Sequence, residues 1–265
     1  MDRGVYLIAS NVLWYASVAS QFTLLAALVR KGLALTYPFF TVFLATSFFF
    51  SLYLVALGPH DPSYAIFWSV SVVLSAGLLL GALWEAVHRL LHQCPDRANM
   101  SLRRKVALVI AAICLLLVLK EDASHWNFGS LTSATMCLSM AMRRYVCMAG
   151  AALLLALWRY LGHDVREFLS RNLRTHLLLL SAYCGTTGLL YWAISLGVSR
   201  TIVNMGLAVV PMALYLVWAK VLSSAGEERP ASLSGEQAAL AKEDSDEFFR
   251  SLRMLHFEVR RILRG

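Results

Sequence analysis

Glu85, His88 and His92 stand three and four positions apart, a spacing that places them on one face of a helix. His176 opens another apolar segment on the same side of the chain's layout, and His163 lies in the loop before it. A carboxylate with several imidazoles suits zinc or non-haem iron, and a histidine on each of two helices could hold haem. The HExxH spacing and a second His pair are both missing. Pairing of Glu85 with Arg89, one turn on, is the more economical reading. No cofactor is therefore expected, with metal or haem on Glu85, His88, His92 and His176 as the lesser alternative.

Arg143 and Arg144 interrupt an apolar segment that ends at Trp158. Counting back at ~1.5 Å per residue puts Arg143 about 22 Å from that end, inside the outer part of a ~30 Å apolar layer. An arginine at the centre of a spanning helix costs ~2.5–3.5 kcal/mol, and less near the edge. Adjacent helical residues point about 100° apart, so the two cannot face the same neighbour. One is expected to snorkel and the other to face the bundle, paired with Glu121, Asp122 or Asp61. Arg143, Arg144, Asp122 and Trp126 thus make a candidate outer ligand site, whose chemistry would be anion binding. A structural ion pair that locks the outer loop to the bundle is the competing and preferred expectation.

The elements that carry these residues follow from composition. Of 265 residues, 58% are hydrophobic and only 15% charged, against about a quarter charged in soluble domains. That excludes a disordered chain, a soluble enzyme domain and a disulfide-rich secreted scaffold. Seven segments are long and apolar enough to cross a bilayer. They are Val5–Val29, Pro38–Leu57, Tyr64–His88, Leu102–Leu119, Ser133–Trp158, Thr175–Leu196 and Ile202–Leu222. The fourth is the weakest, with a charge-free core of only Val106–Leu119. The first continues past a small-residue stretch to Arg30 and Lys31, which marks a span rather than a cleaved signal. Of the five cysteines, all but Cys94 lie within or at the edge of apolar segments, and no CxxC occurs, so no structural disulfide is expected.

Charge placement gives an orientation. Of the 24 Lys and Arg residues, 19 fall in the loops 30–37, 89–105 and 159–174 and in the tail from Lys220. Only Arg3, Lys120 and Arg200 fall on the opposite side. The bias predicts an outside N-terminus and a cytoplasmic C-terminus. The same placement at segment ends argues against nucleic-acid binding, despite a net charge of +8. Short outer connections leave no room for a large outer ligand domain.

Within the spans, Gly77 and Gly81 form a GxxxG that permits close helix approach, in the bundle rather than in a dimer. Pro211 is expected to kink the last span. Asn11 and Tyr15 share a face of the first span and are read as packing residues. After Leu222 the composition turns polar. Residues 223–234 read as a linker and 235–265 as an amphipathic cytoplasmic helix with Phe248, Leu252, Leu255, Val259 and Ile262 on one face. That helix suits the membrane surface first, then a coiled coil with a second copy or a membrane or cytosolic protein partner.

Several families share this layout. Retinal proteins need a lysine in the middle of the last span, whereas here Lys220 sits at its end. G-protein-coupled receptors end their third span with an acidic-Arg-aromatic triplet, whereas here His88-Arg89-Leu90 stands there, and Val210-Pro211-Met212-Ala213-Leu214-Tyr215 lacks the Asn of their seventh-span motif. Leu13-Trp14-Tyr15, Arg30-Lys31-Gly32-Leu33 and Tyr37-Pro38-Phe39-Phe40 are similar to the opening of bacterial seven-helix membrane proteins of uncharacterised activity. That resemblance covers about the first 60 residues. It implies a bacterial inner-membrane location and no particular activity.

The expectation is an all-α integral membrane seven-helix bundle (1–222), N-terminus outside and C-terminus cytoplasmic, a linker (223–234) and a cytoplasmic amphipathic helix (235–265). The leading function is a non-enzymatic, sensor- or receptor-like protein that couples an outer signal to a cytoplasmic or membrane partner. The alternatives are a small-solute or anion carrier using Arg143 or Arg144, a metal- or haem-dependent membrane enzyme, and a subunit of a larger membrane complex. The lipid bilayer is the expected environment, and a homo-oligomer stays open.

Overall fold

A computed structural model of the chain describes residues 3–58, 61, 63–93, 131–160 and 169–227; the side chains of 3–10, 91, 92, 131–133, 159 and 160 lie outside the description. Six long helices follow in order: α1 (Arg3–Arg30), α2 (Pro38–Leu57), α3 (Tyr64–Gln93), α4 (Leu131–Tyr160), α5 (Arg171–Ser195) and α6 (Arg200–Val221), then a short 3₁₀ turn, Ser224–Glu227. All six are long and apolar enough to cross a membrane, and no strand occurs among the described residues. The segment Leu102–Leu119 and the tail helix 235–265 lie outside the described residues.

Local chemistry sets the helix ends. Gly32, at φ 70°, lets the Leu33 N–H reach back to the Leu28 carbonyl at 2.8 Å and close α1. Gly197, at φ 81°, does the same for α5 through Val198 and Ala193 at 3.0 Å. Pro38 occupies the first turn of α2, where its missing N–H costs nothing. Ser170 caps α5 by accepting the Leu173 N–H on its Oγ at 3.3 Å. That cap carries the helix four residues upstream of the apolar stretch beginning at Thr175. Pro211 lies buried inside α6 without splitting it.

The helices form a closed ring in chain order, α1 to α6, with α6 packed back on α1 and a lesser contact between α3 and α5 across the middle. Outward residues are large and apolar, among them Phe22, Phe49, Ile66 and Ile202, each more than half exposed. A soluble protein could not present so much exposed apolar surface, whereas lipid tails solvate it. The chain is an integral membrane protein by these six helices.

Close approach holds the ring together. A Cβ on Gly81 would stand 2.6 Å from Phe39 Cδ1, so this half of the GxxxG seats α2 on α3 within one chain, while Gly77 faces open space. The tightest interface joins α4 to α5, where a Cβ on Gly188 would meet the Met148 backbone nitrogen at 3.1 Å and one on Gly185 would lie 3.7 Å from Ala151. Rising numbers on α5 meet falling numbers on α4, so the pair is antiparallel.

Directions follow from the contacts at one end of the ring. Lys31, just past α1, donates to the Ala219 carbonyl at 2.7 Å and to the Leu222 carbonyl, so α1 and α6 finish together. The first turn of α2 meets Glu85, near the end of α3, and Asn172, at the start of α5, bonds to Ser223. Since α4 is antiparallel to α5, it also finishes at this end, parallel to α3. The chain leaves α3 at one end of the bundle and enters α4 at the other.

Candidate functional site

Polar side chains converge at the end where α1, α3, α4 and α6 finish. Tyr37, fully buried in the α1–α2 connection, donates its hydroxyl to Glu227 Oε1 at 2.8 Å. Asn172 Nδ2 donates to the same oxygen at 2.9 Å and to the Ser223 carbonyl. Asn172 Oδ1 in turn accepts the Ser223 N–H at 3.1 Å. Nearby, Gln93 Oε1 accepts the Ser170 N–H at 3.0 Å. These bonds clasp the exit of the last span to the α1–α2 connection and to the start of α5. Burial, and then the negative charge of Glu227, push the Tyr37 phenol well above its ordinary value of 10.0.

The sign of this shift gives a testable consequence. The fold holds the neutral phenol, so its contribution is complete below pH ~10 and is lost as pH rises through the raised folded value. Wild-type stability should therefore fall more steeply between about pH 9 and 11 than that of Tyr37→Phe, which has no proton to lose. Thermal unfolding in detergent across that range measures it. Parallel profiles would remove Tyr37 from the alkaline transition.

Glu85 comes to this cluster from α3. It is 6% exposed, and its Oε2 accepts the Phe40 N–H at 3.1 Å, so a carboxylate from one helix satisfies the orphan N-terminal donors of the next and meets its positive dipole end. Its other oxygen lies 3.8 Å from Arg89 Nε, and the Arg89 guanidinium rests over the Tyr37 ring at 4.9 Å. The Glu85–Arg89 pairing read from the sequence is present, with the carboxylate also acting as a helix cap.

His88 is exposed and stacks on Trp84, with ring centroids 6.2 Å apart. The side chain of His92 is outside the described residues. His176 is fully buried in a box made by Tyr37 and Phe40, each at 4.7 Å, and Trp218 at 5.7 Å. Neither of its ring nitrogens has a hydrogen-bond partner among the described residues. The fold does not bring His176 to Glu85 and His88 as a ligand set, and no group of three or more His, Cys, Asp or Glu is placed to hold a metal among the described residues.

The second feature lies within the ring. Arg143 donates to the Tyr183 hydroxyl, and its guanidinium stands 5.7 Å from the Phe43 ring and 5.9 Å from the Tyr183 ring. Phe43 belongs to the first third of α2, so the side chain runs toward the clasped end of the bundle. Arg144 is 8% exposed, lies 4.7 Å over the Tyr145 ring and donates to its hydroxyl at 3.1 Å. The two arginines thus take different partners. Asp61 is not in ion-pair contact with either, whereas Glu121, Asp122 and Trp126 lie outside the described residues. Each cation–π contact contributes ~0.5–2 kcal/mol, so two of them with a charge-assisted hydrogen bond are of the order of the insertion cost. Aromatic faces therefore suffice to hold Arg143 in the bundle.

No family model, curated protein or solved structure matches the chain. The site rests on its own geometry. Sequence reading had no signal for the Tyr37–Glu227–Asn172 clasp, whose members lie up to 190 positions apart. For the α4–α5 interface the signal was present, in the four-residue spacing of Cys147 with Ala151 and of Cys184 with Gly188.

Proposed function

We propose that this chain is a non-enzymatic seven-span membrane protein of the sensor or receptor type, N-terminus outside and C-terminus cytoplasmic. It couples an outer signal, or the state of the membrane, to a membrane or cytosolic partner through residues 235–265. The parallel run of α3 and α4 supports the seventh span, because the intervening chain has to change sides, and Leu102–Leu119 is its apolar segment. The outward sides of α3 and α4 carry an apolar groove of about 400 Å³, lined among others by Ile66, Val70, Val73 and Leu138. The excess of Lys and Arg near the clasped end supports its cytoplasmic placement.

The observation that carries the coupling is the clasp. Glu227, the entry to the linker, is tied by hydrogen bonds to the α1–α2 connection and to α5, the helix that also holds Tyr183 against Arg143. A change in the ring therefore has a bonded route to the tail. Hydrogen exchange on the full chain tests this. Asn172→Ala and Arg143→Gln should each change exchange in residues 228–265 by about threefold or more, roughly the effect of losing one hydrogen bond. A tail indifferent to both would end the reading.

A second reading is a small-anion carrier, favoured by the lack of any carboxylate in ion-pair contact with Arg143 among the described residues. Anion flux in liposomes that Arg143→Gln abolishes would put it first.

A further inference from the structure

Beside the clasp, the outer face of α2 and α3 carries an open cavity of about 420 Å³. Its polar wall is His88, Arg89, Glu85 and Gln93, and its apolar wall is Pro38, Phe39 and Trp84. Pro38 begins an apolar helix and Gln93 ends one, so the cavity lies at the level where a bilayer meets water, whichever side that is.

The charges in it are unequally committed. Glu85 gives one oxygen to the Phe40 N–H and the other to Arg89 at 3.8 Å, longer than a hydrogen bond. Arg89 Nε is buried and makes no hydrogen bond to any described residue, while the side chain as a whole is 30% exposed. A partly exposed planar guanidinium, an exposed imidazole beside it and a carboxylate behind that already accepts the Phe40 N–H form a receptor for a phosphate group.

On the side of the cavity toward the apolar layer, the same helix face is apolar. Gly77, Gly81, Trp84 and His88 follow one another at steps of four, three and four along one stripe of α3. Phe39 fills the space over Gly81, but nothing stands within 4 Å of a Cβ at Gly77. Phe39 and Val42, both 48% exposed, give α2 an outward apolar face beside it. A soluble phosphate would have no use for an apolar track beneath its site, whereas a lipid has an acyl chain to lay in it.

We propose that this cavity binds a glycerophospholipid, with its phosphate on Arg89 and His88, its glycerol against Trp84 and an acyl chain passing outside Phe39 to lie over Gly77 on the outward face of α3. Trp84 stands at the polar end of this stripe, stacked on His88, and indoles are favoured at the membrane–water boundary.

Native mass spectrometry of the full chain in detergent tests this with three probes: dioleoyl phosphatidylglycerol, dioleoylglycerol and glycerol 3-phosphate. Wild type should retain the phospholipid about tenfold better than the phosphate-free diacylglycerol, the worth of one charge-assisted hydrogen bond. Arg89→Gln should erase the difference. Gly77→Leu, which fills the track and leaves the polar end untouched, should lower phospholipid retention without affecting the clasp, and it keeps the test decisive if Arg89→Gln does not fold. Equal retention of both lipids by wild type, or undiminished phospholipid retention in Gly77→Leu, would overturn the proposal. Displacement of the phospholipid by equimolar glycerol 3-phosphate would also overturn it, by making the ligand a soluble phosphate.

Discussion

Replacing Glu85 by alanine is expected to cost the folded bundle about 2–4 kcal/mol, the largest single-residue effect at the clasped end. Two losses add. The α2 N-terminus loses the acceptor for the Phe40 N–H, and a lost cap is worth about 1 kcal/mol. Arg89 keeps its charge over Tyr37 without the carboxylate that faces it at 3.8 Å. Because the Arg89 side chain is 30% exposed, water recovers part of that second loss, which keeps the total below the figure for a wholly buried pair. Glu85→Gln separates the two, since an amide oxygen can still accept from Phe40. It should cost about half as much as alanine. Thermal unfolding in detergent, followed by helical circular dichroism, reads both. Equal losses for alanine and glutamine would show that charge, and not capping, is what Glu85 contributes.

The second large effect is steric, at the α4–α5 interface. A Cβ on Gly188 would lie 2.7 Å from Met148 Cγ and 3.1 Å from the Met148 backbone nitrogen. The side-chain clash can be relieved by a rotamer change, but the backbone contact yields only if the helices separate. Gly188→Val should therefore cost about 3 kcal/mol, the upper range for overpacking, and Gly188→Ala somewhat less. Gly185→Ala is the control one turn away. Its new Cβ would sit at 3.7 Å from Ala151, an ordinary contact, and alanine is the better helix former by up to about 1 kcal/mol. The control should be neutral or stabilising. Opposite signs for two glycine-to-alanine changes three positions apart are hard to obtain except from this packing, and unfolding temperatures of the three variants would show them. A neutral Gly188→Val would mean that the helices are further apart than described here.

The contrast between these sites shows what a linear reading can and cannot see. Each of the six helices contains an apolar stretch read from the sequence, because crossing a bilayer requires a length and a composition that few other structures demand. The ends differ where tertiary bonds intervene. The apolar stretch of α5 opens at Thr175, yet the helix begins at Arg171, because Ser170 caps it and Ser223 and Glu227 satisfy the fully buried Asn172. A hydropathy window counts that asparagine as a reason to stop.

The site followed the same division. Glu85 and Arg89 share a helix at a spacing of four, so their pairing was legible. Tyr37 and Glu227 are neighbours only because the ring closes, and no local pattern encodes that closure. The two arginines stood out for their cost in an apolar layer, but their aromatic contacts could not be read. The sequence suggested carboxylates, since opposite charge is the usual remedy. Among the described residues, Arg143 meets the faces of Phe43 and Tyr183 and Arg144 that of Tyr145, rings that look like ordinary apolar residues until the helices are assembled, while Glu121 and Asp122 lie outside the described residues.

The closing of the ring by Lys31 and α6 also bears on how the protein is made. Helices emerge from the ribosome in chain order, and α1 has α2 on one side as soon as both have entered the membrane. Its other flank waits for α6, the last of the six described helices to be synthesised. Until then, the Lys31 ammonium lacks the carbonyls of Ala219 and Leu222 that receive it in the finished protein. A nascent chain stalled before that point presents an unmatched lysine and an uncovered helix flank, so the bundle is finished only when its last described helix arrives.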